Sequence, residues 1–452
     1  MKSSFIIETH AAVSSIVVAL AGGPVLVELP RVWRSALKSE FIHKIVATYV
    51  TRVLLIVLGL VAAVVVTRIL GPKGRGLYAI ATTTGALGVQ FGNMGMHTAN
   101  VYFAARDPES LAPLVGNSLV MSLGFGGMIT VALATLFWVF PNLIGLHGIL
   151  LFLAMIWIPV GLAYLLMQNL MLGVHDIRGY NLLEIANRVL PLMFIAGLIL
   201  FRHEGVTSFF GAGVAALVLV CFWAWRRLSV RFTDGPALSI ALFRGSIQYA
   251  VKAYLAAFFA FLVLRADLFM VQHMLGLEQA GYYSVASSMA DYVSVAAVVI
   301  GTILFPRLSA MEDVEAKLEL TKKTAWVTAG VLLPCLVISS LLAQPVVHLL
   351  FGPAFVPAAM AFVLLMPGML FLGIHSVIVQ FLNSIGYPSS VVVIWGVCSL
   401  INIVANIWVI PRFGICGASV VSSVCYFMAF YAVLCIIRNT AKPSAAVLAA
   451  IR

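Results

Sequence analysis

Charge is what this chain has least of. Of 452 residues only 10% are charged, while 62% are hydrophobic. A soluble domain carries about 25% charged and roughly 45–50% apolar residues. No water-soluble fold of this length has interior enough for that apolar excess, so much of it must face lipid. Acids are scarcer than bases, 16 against 27, for a net charge of +11. In a soluble protein that balance points to nucleic acid. Here no basic run with interleaved aromatics lies outside the apolar segments, and nucleic-acid binding is not expected. The six cysteines (Cys221, Cys335, Cys398, Cys416, Cys425 and Cys435) all sit in apolar runs, without CxxC or metal-ligand spacing. They read as small buried hydrophobes, and neither a metal nor a cofactor is expected. Long outward connections are missing as well: none exceeds about a dozen residues, too short for the catalytic or acceptor-binding loop of a membrane polymerase or ligase. An enzyme is therefore not expected.

What is present is a series of long apolar runs. A spanning helix needs about 20 mostly apolar residues. The pattern predicts an all-α, polytopic membrane protein of about twelve transmembrane helices, at 45–69, 76–104, 113–140, 148–173, 180–201, 206–228, 244–275, 282–305, 322–350, 358–385, 389–411 and 414–437. The longest polar connections are expected at Arg226–Ser239 and Arg307–Lys323. Residues 1–44 stand apart, because the apolar stretch Ala11 to Leu29 is broken by Gly22, Gly23, Pro24 and Glu28. They read as a loosely structured or interfacial extension; the alternative is a leader, since Lys2 precedes an apolar patch.

Counting basic residues by loop gives an orientation. One side collects 18 Lys and Arg, from Lys2 through Arg106, Arg178, the Arg226–Arg244 connection and the Arg307–Lys323 connection to Arg452. The other side has 5: Arg68, Lys73, Arg75, Arg202 and Arg412. The positive-inside rule then puts both termini in the cytoplasm.

An internal repeat is visible. Leu70-Gly71, Gly76-Leu77-Tyr78-Ala79 and Ala81 match Leu275-Gly276, Gly281-Tyr282-Tyr283-Ser284 and Ala286 at a constant offset of 205 residues. It implies two six-helix lobes, 45–235 and 236–440, followed by a tail at 441–452. With an even number of spans each, the lobes run parallel about a pseudo-two-fold axis along the membrane normal. The glycine-rich stretch Gly71-Pro72-Lys73-Gly74-Arg75-Gly76 lacks the GxxxxGK[ST] pattern and a preceding strand. It reads as a tight turn between helices, not as a phosphate loop.

These residues also resemble a known family. Arg68 to Tyr78 resembles the first-turn signature of bacterial polysaccharide-transport proteins, and Met274 to Ala286 their turn between helices seven and eight. Leu304-Phe305-Pro306-Arg307-Leu308-Ser309 is similar to the end of their eighth helix. Asn402 to Asn406, followed by Ile410 to Ser419, resembles their last helix pair. The resemblance spans about residues 40–437 and marks a lipid-linked oligosaccharide flippase of the multidrug/oligosaccharidyl-lipid/polysaccharide exporter superfamily. It implies two lobes around a cavity with alternating access. The substrate implied is a polyprenyl-diphosphate-linked glycan moved across a bacterial cytoplasmic (inner) membrane for O-antigen, capsule or exopolysaccharide synthesis. Membrane lipids and polysaccharide polymerase or assembly proteins are the implied partners. The alternative is an ion-coupled multidrug or small-molecule exporter of the same superfamily.

Ionisable residues inside a membrane are costly and become functional candidates for that reason. Arg52, Arg188, Lys252, Arg265, Glu184, Asp267 and Asp291 all fall within the expected spans. The resemblance implies cavity-lining basic residues on the first and seventh helices, consistent with Arg52 and Arg265. For Arg52 the competing reading is snorkelling to the headgroups. Lys252 lies 13 residues before Arg265 and shares its surface only if the helix kinks. Arg265 and Asp267 are two apart and point to different sides. Asp267 and Asp291 are candidate ion-coupling acids. Glu184 and Arg188, four apart, suit an intrahelical pair. Gln90, Asn93, His97 and Asn100, spaced three, four and three, form a polar stripe expected to line the cavity. Asn402 and Asn406 read as helix–helix contacts.

Overall fold

The computed structural model describes residues 40–232, 235–386 and 389–440. The extension expected over 1–44 lies outside these residues up to position 39, and so does the tail at 441–452. The chain divides into a unit Met1–Val57, whose described part is helical, and a unit Leu58–Arg452. Every described element is helical.

The helices are α1 (Glu40–Asn93), α2 (Met96–Arg106), α3 (Leu111–Val120), α4 (Gly126–Val139), α5 (Gly148–Gly173), α6 (Ile177–Leu200), α7 (Val206–Ser229), α8 (Ile240–Leu275), α9 (Leu277–Ala310), α10 (Val314–Leu341), α11 (Ala343–Phe351), α12 (Ala358–Ser384) and α13 (Ser389–Thr440). A single π-turn, Met121–Phe125, joins α3 to α4. Ten spans among the described residues are long and apolar enough to cross a membrane. Two of them, 40 and 51 residues long, are each twice the length one crossing needs. Both are broken once, α1 at Gly71 and α13 at Gly414. Ten spans, two of them double, make twelve crossings, as expected from the sequence. This is a multi-pass membrane protein.

Helices dominate because lipid offers backbone groups no hydrogen bonds. Where the chain reverses, a single glycine suffices. Gly71 (φ 64°, ψ −178°), Gly276 (90°, 177°), Gly352 (97°, 169°) and Gly414 (61°, −148°) share a conformation essentially open only to glycine. A Cβ at any of the four would meet nothing within 4 Å, so the requirement there is dihedral and not steric. The six-residue turn expected at Gly71–Gly76 is thus one residue long. Pro72 onward is already helical, and Pro at the start of a helix loses only a donor that would be unpaired there.

Three other boundaries move. The helix expected over 76–104 breaks at Met94 (φ 45°) and Gly95 (φ 82°). The 322–350 span is two helices, α10 and α11, hinged at Leu342. The polar connection expected at Arg307–Lys323 is almost entirely helix, because α9 runs to Ala310 and α10 starts at Val314, capped by Asp313. Hydropathy marks where the membrane ends, whereas a helix continues into water while its caps and exposed polar face permit.

Within Leu58–Arg452, α5 packs on α7, α6 on α7 and α2 on α5 in the first half, while α9 and α13 pack on α12 and α8 on α13 in the second. One place where the halves meet is α2 against α8, where Tyr102 stacks on Tyr249 at 4.4 Å and 17°.

Candidate functional site

The repeat places its own copies against each other. A methyl group on Gly76 would overlap the carbonyl oxygen of Leu277, and one on Gly281 would overlap that of Pro72. Position 277 is 72 plus the repeat offset, and 281 is 76 plus it. The contact is therefore reciprocal and maps onto itself under a local two-fold rotation. Here the glycines are needed for space, to let two backbones touch. We call this contact the seam.

Charged residues gather beside it. Arg68 Nε donates to the Leu350 carbonyl at 2.7 Å, and its Nη2 donates to that of Leu349. A cation thus caps the C-terminus of α11, where carbonyls have no helical partner. Arg75, expected in an outward turn, is instead a buried residue of α1, 8% exposed. Its guanidinium lies over the Tyr78 ring, with Nη2 3.4 Å from Ser288 Oγ on α9, long for a hydrogen bond. Its Nε has no partner, and no carboxylate pairs with it among the described residues. Tyr292, on α9, interacts electrostatically with Arg75, Arg188 and Asp291, and its hydroxyl lies against Gly59. Arg188 is an electrostatic neighbour of Tyr78 as well. Arg188 itself is exposed on α6.

One turn or two away lies the second cluster. Arg265, Asp267, Tyr283, Ser287, Asp291 and Tyr426 line a small pocket between α8, α9, α12 and α13. It has room for an ion or a single water and not for a glycan. Arg265 Nη2 contacts Asp291 Oδ2 at 2.7 Å, with both side chains about a third exposed. Asp267 is 2% exposed. Its Oδ2 accepts hydrogen bonds from Tyr283 Oη and, at 2.9 Å, from Ser422 Oγ, while its Oδ1 accepts from the Leu268 amide at 2.8 Å. Arg265 and Asp267 do take different partners, as their spacing required, yet they share this pocket.

The polar stripe does not survive. The break at Met94 and Gly95 interrupts the 3.6-residue period, so Gln90 and Asn93 lie on one helix and His97 and Asn100 on the next. Gln90 is half-buried. Asn93 is buried, and its Oδ1 meets His97 Nδ1 at 2.9 Å. Asn100 is fully buried, donating to Ser118 Oγ at 2.9 Å and more weakly to the Leu166 carbonyl. It ties α2 to α3 and α5 instead of lining a cavity. Lys252 is exposed on α8, away from the Arg265 pocket. The side chain of Arg52 lies outside the described residues. Asn406 donates to Asn402 along α13, and both are fully buried. No group of three metal-ligating side chains occurs among the described residues.

A family model described as polysaccharide biosynthesis protein matches residues 65–360. An uncharacterized membrane protein of Methanocaldococcus jannaschii is 29% identical over 152 residues, 33% of this chain; the chain spans only 30% of that relative's length. Among solved structures, lipid II flippase MurJ in an inward closed conformation aligns with a TM-score of 0.66 over 87% of each chain, at 16% identity. An inward-facing multidrug resistance MATE transporter of the MOP superfamily aligns at 0.67, also 16% identical, over 85% of this chain and 93% of that one. A MOP superfamily transporter from Pyrococcus furiosus, described as having a binding pocket of reversed polarity, aligns at 0.63 and 16% identity, over 86% and 94%. At such identities the likeness is one of fold.

Proposed function

The chain belongs to the polysaccharide biosynthesis protein family, and from that premise we propose that it is a flippase. It turns a polyprenyl-diphosphate-linked oligosaccharide from the cytoplasmic to the outer leaflet of a bacterial cytoplasmic membrane, by alternating access, with both termini in the cytoplasm. The observation that carries this reading is Arg75, a guanidinium buried where the halves meet and paired with no carboxylate among the described residues. Asp291, on the neighbouring α9, is taken up by Arg265. A guanidinium away from water needs an anion, and its forked donors fit diphosphate oxygens. A cationic drug would meet repulsion there, which weighs against the small-molecule exporter. Asp267 and Asp291 are the acids suited to ion coupling: one is buried and fully hydrogen-bonded, the other reachable from the cleft.

The test is reconstitution. Purified protein in proteoliposomes is given a fluorescent polyprenyl-diphosphate glycan, and its access to a membrane-impermeant quencher is followed. Replacing both Arg188 and Arg265 with Ala is expected to slow flipping by about a hundredfold, one tenfold step for each lost charge-assisted contact. Wild-type rates from the double variant would overturn the assignment.

A further inference from the structure

Arg75 is the one group here whose position contradicts its chemistry. It is nine-tenths buried, its Nε has no partner, and the hydroxyl it meets, Ser288 Oγ, is at 3.4 Å. What buries it is the seam. Gly76, its neighbour in sequence, touches Leu277, and Ser288 meets it from α9, with Tyr292 one turn further along that helix. The backbones there are in contact, so nothing the size of a phosphate enters while the seam is shut. A ligand that binds only the parted state must favour that state, by the ratio of its affinities for the two.

We infer that Arg75, with Ser288 and Tyr292, is an oxyanion-binding site that exists only when the seam parts, so that a phosphate or diphosphate group drives the seam open. Identifying the ligand as the diphosphate of a lipid-linked substrate rests on the flippase reading; the burial of the unpaired guanidinium does not. The closed seam holds an unmatched cation, and the open one offers that cation, a serine hydroxyl and a tyrosine hydroxyl to an anion. Arg68 reinforces the shut state by gripping the α11 carbonyls, and it is no counterpart of Arg75 because it is exposed and its Nε and Nη2 are both used.

The experiment is hydrogen exchange read by mass spectrometry on the full chain in phosphatidylcholine nanodiscs, with inorganic pyrophosphate or with sulfate at equal ionic strength, and with calorimetry on the same samples. Pyrophosphate is expected to speed exchange of the amides at 71–77 and 275–281 by about fivefold or more, the size of an ordinary allosteric coupling. In Arg75→Gln that acceleration should vanish while some calorimetric binding at Arg188 and Arg265 persists; Arg75→Lys should restore part of it. Pyrophosphate that binds wild type yet leaves seam exchange unchanged overturns this inference alone, as does an Arg75→Gln protein that responds like wild type. If Arg75→Gln does not fold, Ser288→Ala and Tyr292→Phe are expected to weaken the same response, and the wild-type arm stands by itself. Absence of any pyrophosphate binding overturns both this inference and the flippase reading. Seam opening in a protein that flips no glycan would remove only the latter. Equal opening in phosphatidylglycerol nanodiscs without pyrophosphate would mean that the site answers to lipid headgroups, and would overturn its assignment to the diphosphate.

Discussion

The two halves of the repeat share a scaffold and divide the chemistry. Gly71 and Gly276 make the same turn, Gly76 and Gly281 the same close contact, and Tyr78 and Tyr283 occupy the same position. Yet at the constant offset Arg265, Asp267 and Asp291 face Leu60, Ala62 and Ala86, while Arg75 faces Ala280. The acid-bearing pocket belongs to the second half and the unpaired cation to the first. Backbone geometry was kept where the two copies touch, since any side chain there would overlap a carbonyl. Side-chain chemistry diverged one or two turns away, where the copies no longer constrain each other. One polar region is internally satisfied, and the other is left waiting for a ligand.

The strongest way to break this comparison is at the shared glycines. Gly281→Ala and Gly76→Ala each thrust a methyl group into a backbone carbonyl that cannot step aside. Overpacking of this kind costs about 1–3 kcal/mol, enough to hold the seam open and reduce flipping by about tenfold. Gly71→Ala has free space around it and should instead lower the melting temperature through dihedral strain of roughly 1–3 kcal/mol, with seam exchange kept near wild type. If the two kinds of glycine behaved alike in melting and exchange measurements, the distinction between space and dihedral would fall.

A smaller effect is expected in the second half. Asp267→Asn keeps the volume and most of the hydrogen bonds but removes the charge. Flipping should fall by about tenfold if that charge couples an ion, with the melting temperature little changed. Tyr283→Phe and Ser422→Ala each remove one of the donors to its carboxylate and should fall between Asp267→Asn and wild type. Transport in proteoliposomes ranks the four. An Asp267→Asn protein as active as wild type would make this acid structural.

The smallest effect belongs to a clamp in the first half. Asp176, between α5 and α6, accepts from Arg227 Nε at 2.6 Å and from the Gly179 amide at 2.9 Å, with Arg231 at 3.1 Å. The Arg227 hydrogen bond holds its carboxyl below the usual range, at about 2. A carboxylate whose folded pKa is depressed stabilises fully above its unfolded value, about 3.9, and loses that stabilisation as pH falls toward 2. Both arginines are over a third exposed, which limits the contribution to roughly 1 kcal/mol. Thermal melting of wild type and Asp176→Asn between pH 5 and about 2 should show two curves converging at the acid end. Parallel curves would sink the prediction.

Twelve crossings, the repeat and the family were legible in the chain itself, because lipid demands long apolar helices and glycine demands its own turns. Arg265, Asp267 and Asp291 stood out in the sequence as ionisable residues in apolar runs, and the structure gathers them around one pocket. The stripe from Gln90 to Asn100 misled because a helical period assumes an unbroken helix, and Met94 and Gly95 break it. Arg75 escaped notice because it sits beside a glycine turn, where charge is usually exposed; its one signal was adjacency to Gly76, a repeat glycine whose partner lies 205 residues on. Sequence alone thus determined what crosses the membrane, since that depends on local hydropathy and backbone freedom. Only the tertiary structure decided which charges are matched and which are stranded, since burial depends on what the other half of the chain brings against them.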